Sequence, residues 1–161
     1  MAVGVASAAD AGGGVMPRRV KVEGDLFHGR VPAGAVYVGR GAPGLKASPF
    51  RNPHPVGKLC RGCGVVHDLV DAVLAFEDDL LADTDLLERA YRELPGLDLA
   101  CWCRLPEPGR PDLCHAAVLL AVVDEWNTDR ALRRRAAGAW APERPRVWRP
   151  TKDVRVTGGV L

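Results

Sequence analysis

Several things are missing from this chain of 161 residues, and each absence narrows the reading. No stretch approaches the run of about 20 apolar residues that a membrane-spanning helix needs, so no membrane role is expected. Residues 1–15 lack the basic start and apolar centre of a secretory signal; residues 1–16 read instead as a disordered leader. No GK[ST] closes a Walker loop, and no strand runs into a dinucleotide fingerprint. No pair of carboxylates is placed for general acid and base work. The formal net charge is only +2, which says little about partners. That balance hides an asymmetry. Asp and Glu crowd residues 68–98, against only Arg89 and Arg92, whereas arginines dominate from Thr128 onward.

What is present is cysteine, in an odd number and in close spacings. There are 5, as Cys60-x2-Cys63, Cys101-x-Cys103 and Cys114. Such spacing suits a metal better than a disulfide framework. Cys60-Arg61-Gly62-Cys63-Gly64 has the form of a zinc knuckle, in which a tight turn points two thiolates at one ion. Zinc prefers four ligands, so further donors are needed. His67 is the nearest in sequence, and the Cys101, Cys103 and Cys114 group, Cys101 first, is the other source. A small core also leaves room for a metal to contribute folding energy. The plain alternative is that some of these cysteines are small buried hydrophobes.

The chain is organised around residues 97–126. Leu97 to Trp102 reads as a short buried strand bounded by Pro95-Gly96. A turn-rich loop with three prolines and a glycine follows, and then a helix to about Trp126, with Asp112 positioned to cap it. Cys101 and Cys103 fall at the strand end, and Cys114 and His115 at the helix start. Carboxyl ends of strands are where open α/β folds bind ligands, so three thiols and an imidazole are expected to converge.

Upstream, Val20 and Val22 alternate with charged residues as an edge strand does, and His28 sits in a loop. Ala35 to Gly39 is apolar throughout and reads as a central strand. The long Gly/Pro segment after it carries Arg40, Lys46, Arg51 and Lys58, with Phe50 and Asn52 as anchors. Glycines let the backbone approach a ligand, so Arg40, Lys46, Arg51 and Asn52 are the candidate anion-binding set. Leu69, Val73, Phe76 and Leu80 form the stripe of a helix over 68–81, with Asp71, Glu77, Asp78 and Asp79 turned to solvent. A shorter helix is expected near 86–94. Helices between two apolar runs predict a crossover, with Ala35–Gly39 and Leu97–Trp102 parallel neighbours. The expected fold is a single small α/β domain over 17–127, with a mostly parallel sheet, flanking helices and zinc stabilisation. A basic extension with Trp140 and Trp148 follows over 128–161, either docked on the domain or contacting nucleic acid.

The segments VYVGRGAPGLKASPFRNP, CRGCGVVH, LACWC and LCHAAVLL together resemble a family of uncharacterised bacterial and phage proteins, domain-of-unknown-function family 4326. The resemblance spans roughly residues 20–126. It rests on Gly39-Arg40, the Arg51-Asn52-Pro53-His54 turn, Cys101-Trp102-Cys103 and Cys114-His115. Arg51 and His54 stand where the family's turn usually has Gly and Phe. The resemblance implies that the Cys/His cluster is a family feature and transfers no activity.

Two functions follow. One is an enzyme acting on a nucleotide, a nucleoside or a modified nucleic-acid base. In it Cys103 or Cys114 serves as nucleophile, His115 as base and the cationic loop as phosphate holder. The other is a non-catalytic zinc-stabilised module binding nucleic acid or another protein. Whether the protein is an enzyme stays open at this point. A cytoplasmic location is expected in either case.

Overall fold

The computed structural model describes residues 16–135. Among these residues, three short strands and three helices follow in the order β1 (Arg19–Lys21), β2 (Ala35–Tyr37), α1 (Leu69–Ala82), α2 (Thr84–Glu93), β3 (Asp98–Cys101) and α3 (His115–Arg135). The strands form one parallel sheet in the order β1-β3-β2. Val36 pairs with Leu99 and Tyr37 with Ala100, so the two apolar runs are parallel neighbours, with α1 and α2 in the crossover between them. The result is a small single α/β domain.

The central strand is β3, not the Ala35–Gly39 run expected there. Leu99 and Ala100 are fully buried and Cys101 nearly so, because strands flank β3 on both sides. β2 is an edge strand, and each of its residues is half-buried. The ladder continues past both edge strands: Val38 N–H donates to Ala100 O (3.0 Å) and Val22 N–H to Cys101 O (3.1 Å). β1 departs from simple alternation. Val22 is buried as expected, but Arg19 is buried too, at 7 % exposure.

One core joins the layers. Phe76 and Leu80 of α1, Ala90 of α2, Leu99 of β3, and Leu119 and Val122 of α3 pack in a single cluster with Val38 and Leu94. Burying a side chain such as Phe76 or Leu119 contributes about 1.5–3 kcal/mol each. The α1 stripe is rotated from the expected one. Ala72, Phe76, Glu77 and Leu80 face inward and Leu69 is exposed, so Glu77 is buried where a solvent position was expected. Asp68 caps α1 by accepting from Asp71 N–H, and Asp83 caps α2 by accepting from Leu86 N–H. Tyr91 of α2 stacks on Trp126 of α3, with ring centroids 4.4 Å apart.

α3 starts later and ends later than expected. Its first residue is His115, and Asp112 is not its cap; the Asp112 carboxylate accepts from Arg19 instead. The helix does not stop at Trp126 but runs on to Arg135. Trp140, Trp148 and most of the leader and basic extension lie outside the described residues. No described helix is long and apolar enough to cross a membrane.

Candidate metal centre and thiol pocket

The segment between β2 and α1 has no strand of its own, yet it is pinned at every few residues. Ser48 N–H donates to Gly39 O, and bridges pair Val56 with His67 and Leu59 with Val66. Cys60 N–H donates to Val65 O and Gly64 N–H to Cys60 O, both at 2.8 Å. Gly64 closes this turn with φ +72°, a conformation that L side chains rarely adopt. The fold-back carries His67 next to the knuckle. His54 approaches from the other side, held between Pro53 and Pro55.

His54 is oriented from three directions. Asn52 Oδ1 accepts from its backbone N–H (2.8 Å), and Arg40 donates to its carbonyl (2.6 Å). Its Nε2 lies 2.9 Å from Asp79 Oδ2 on α1. With Nε2–H donating to Asp79, Nδ1 is left as a lone pair, 3.5 Å from Cys60 Sγ and 3.8 Å from Cys63 Sγ. His67 Nε2 is 3.0 Å from Cys63 Sγ. The four candidate ligand atoms of His54, Cys60, Cys63 and His67 all lie within 4.8 Å of one another. A tetrahedral zinc with bonds of about 2.0–2.3 Å would set its ligand atoms about 3.3–3.8 Å apart. Two thiolates and two imidazoles are a donor set that suits zinc, and a carboxylate behind a histidine is the usual outer support for such a ligand. The Cys60 thiol is lowered to about 6, chiefly by the Cys63 backbone amide aimed at its sulfur, with the Gly62 amide, the Cys63 thiol and His54 adding.

Cys60, Cys63 and His67 are therefore together, and the fourth member is His54. Cys101, the fourth ligand expected from the sequence, stands elsewhere, in a compact group with Cys103 and Cys114. The reason is topological. β3 ends against the start of α3, whereas the knuckle folds against the 52–55 turn and α1. Within the thiol group, Cys101 and Cys103 Sγ are 3.6 Å apart. His115 Nδ1 is 4.0 Å from Cys101 Sγ and 3.8 Å from Cys114 Sγ, and its Nε2 lies 2.8 Å from Val38 O. The Cys101 thiol is shifted down, first by the hydrogen bond with Cys103 and then by Cys114 and His115. Cys103 and Cys114 are shifted up, chiefly by their hydrogen bonds with Cys101. All five cysteines are free of disulfides, with Cys101 and Cys114 buried and Cys103 partly exposed.

The candidate anion-binding residues divide differently. Arg40 spends Nε on Asn52 O (2.9 Å) and Nη2 on His54 O. Asn52 donates to Ala72 O (2.8 Å). These two residues brace the His54 turn. Lys46 and Arg51 are exposed, with Arg51 donating to Ser48 O, and neither lines the cavity described next. His28 is exposed and pairs with Asp25. Arg19, which sequence reasoning missed, donates to Asp112 (2.6 Å), Cys103 O (2.9 Å) and Arg104 O (2.8 Å), and so fastens both ends of the loop between the thiols.

A cavity of about 410 Å³ opens between the two groups. His54, Cys101, Cys103, Cys114 and His115 line it, with Arg40 and Lys58 supplying positive charge and Leu69 and Val73 an apolar wall. Among the described residues no carboxylate lines it.

Residues 27–125 match the family described as a domain of unknown function, DUF4326. The chain belongs to that family. The match begins after β1 and takes in both Cys/His groups, so the DUF4326 region carries the cavity and all of its lining. Arg19 lies upstream of the matched residues and braces the site from outside them. Comparison with curated proteins and with solved structures finds no match.

Proposed function

We propose that this DUF4326 protein is a zinc-stabilised binding module, with one zinc held by Cys60, Cys63, His54 Nδ1 and His67 Nε2. The observation that carries the reading is the convergence of four ligand atoms, one of them backed by Asp79. The ion fixes the 54–67 segment, which has few core contacts of its own: Val56, Leu59, Val65 and Val66 are all about half exposed or more. That segment supplies one wall of the cavity, so metal binding and pocket shape are coupled.

The pocket's occupant, in this reading, is a phosphate-bearing molecule or the backbone of a nucleic acid. Arg40 and Lys58 provide the charge. A binding role is favoured over catalysis because, in this reading, His54 is a metal ligand, His115 is held on the Val38 carbonyl, and no carboxylate among the described residues lines the cavity to act in their place. The free thiols and the thiolate-rich site suit a reducing compartment such as the cytoplasm. The test is zinc content after purification without added metal, measured for the parent and for Cys63→Ser. Zinc lost in the variant supports the reading, and an equal content in both defeats it. Nucleic-acid binding should weaken steeply as salt rises, since counterions are released from the phosphates. A small phosphate ligand would instead be displaced by free nucleotide.

A further inference from the structure

We propose that Cys101, Cys103 and Cys114 form a second metal centre, a three-thiolate zinc site whose fourth position faces the cavity. It is separate from the Cys2His2 centre, and each ligand set is complete without the other.

The placement follows from the chain's course. Cys101 ends β3, and Cys103 lies two residues further on, past Trp102. Cys114 immediately precedes the first residue of α3. The loop between them is not left to wander. The buried Arg19 guanidinium bonds the Cys103 carbonyl, the Arg104 carbonyl and the Asp112 carboxylate at once. One side chain thereby sets the distance between the strand-end thiols and the helix-start thiol. The three Sγ atoms lie within 4.8 Å of one another, with Cys101 and Cys103 at 3.6 Å. Tetrahedral zinc with bonds of about 2.3 Å to sulfur would place them about 3.8 Å apart.

The chemistry agrees with the geometry. An all-thiolate set is soft and selects zinc among the common divalent ions. Three thiolates around one divalent ion leave a net charge of −1, which Arg19, shared between Asp112 and the Cys103 and Cys114 sulfurs, offsets only in part. Three protein ligands with an open position is also the arrangement of zinc sites that bind exogenous molecules, whereas structural sites are closed by four. His115 is the residue that would close this one. Its Nε2 is committed to Val38 O, which turns Nδ1 toward Cys101 and Cys114. However, Nδ1 lies outside the compact trio that includes Cys103. The fourth position is therefore left to a ligand entering from the cavity, whose lining includes Cys103, Arg40 and Lys58. An anionic donor atom, such as a carboxylate, thiolate or phosphate oxygen, fits both the metal and that charge.

Cobalt(II) titration of the full chain tests this, because sulfur-to-cobalt charge-transfer absorption counts thiolates and the visible bands report tetrahedral geometry. Two equivalents should bind to the parent. Cys103→Ser, at the partly exposed position, should retain one equivalent with the two-thiolate signature, and Cys63→Ser should retain one with the three-thiolate signature. Azide or thiocyanate should shift the visible bands of Cys63→Ser and leave those of Cys103→Ser unchanged. A parent that binds one equivalent, with Cys103→Ser indistinguishable from it, overturns the second centre while leaving the first standing. A parent that binds one equivalent, kept in Cys63→Ser and lost in Cys103→Ser, would strike the first centre alone. Two equivalents with no response to azide or thiocyanate would overturn the open position and assign His115 as the closing ligand. Circular dichroism of each variant identifies any loss of binding that comes from unfolding. If Cys63→Ser unfolds, the parent-minus-Cys103→Ser difference spectrum carries the same test.

Discussion

Replacing Asp79 with alanine separates a metal-supporting role from a structural one. The carboxylate lies 2.9 Å from His54 Nε2 and holds the ring so that Nδ1 faces the two sulfurs. Removing such an outer partner typically lowers metal affinity 10- to 100-fold. Asp79 is 60 % exposed, so water can partly replace it, and the expected loss sits at the low end, about 10-fold or about 1.4 kcal/mol. Its contribution to the metal-free fold should be smaller, since exposed ion pairs are worth about 0–1 kcal/mol, and alanine suits the α1 interior. Competition with a chromophoric chelator gives zinc affinity, and urea unfolding with and without chelator gives stability. The reasoning predicts a roughly 10-fold weaker zinc site and a metal-free unfolding midpoint close to the parent's. Unchanged affinity would refute it, and so would a metal-free stability loss as large as the affinity loss.

Arg19→Met should destabilise the domain by about 3 kcal/mol, the lower range for breaking a buried pair, because it strands two carbonyls and the Asp112 carboxylate; chemical denaturation measures this. Gly29→Ala would place a Cβ 2.5 Å from the Trp102 ring and should cost about 1–3 kcal/mol by overpacking, read as a lower Tm. In metal-free protein Cys60 is lowered to about 6 from the ordinary thiol value of 9.0. Between those values the unfolded chain binds a proton that the folded one does not, so stability should rise with pH from about 6 to 9 and this contribution should be lost below 6. Urea midpoints across that range, compared with those of Cys60→Ser, check the sign. Chelation should expose the 55–66 segment to protease while the helical signal persists, because the His54, Cys60, Cys63 and His67 ligands lie outside the main core cluster.

The helices, the apolar Leu99–Cys101 strand and the parallel pairing with residues 35–37 were legible because periodicity and turn residues are local signals. The knuckle was legible for the same reason. His54 was not. It sits in Asn52-Pro53-His54-Pro55, six residues before Cys60, and was noticed only as a departure from the family's phenylalanine. With His54 included, the spacing H-x5-C-x2-C-x3-H carries all four candidate ligands, and it was the available signal. Arg19 was hidden by its setting. An arginine beside alternating valines looks solvent-facing, and its partners lie more than eighty residues away. Glu77 misled in the same way, since a helical stripe read from apolar residues alone was rotated from the face that packs. Assigning Cys101 to the knuckle failed because sequence spacing shows which thiols exist and not which strand end they face.

The central claim is that His54 completes a Cys2His2 zinc centre. Zinc K-edge absorption spectroscopy on Cys103→Ser, purified without added metal and paired with its zinc content, tests this most directly. The account predicts one zinc with two sulfurs at about 2.3 Å and two nitrogens at about 2.0–2.1 Å, and loss of that zinc when His54→Ala is added. A sulfur-only shell, or zinc retained at full content without His54, would contradict it.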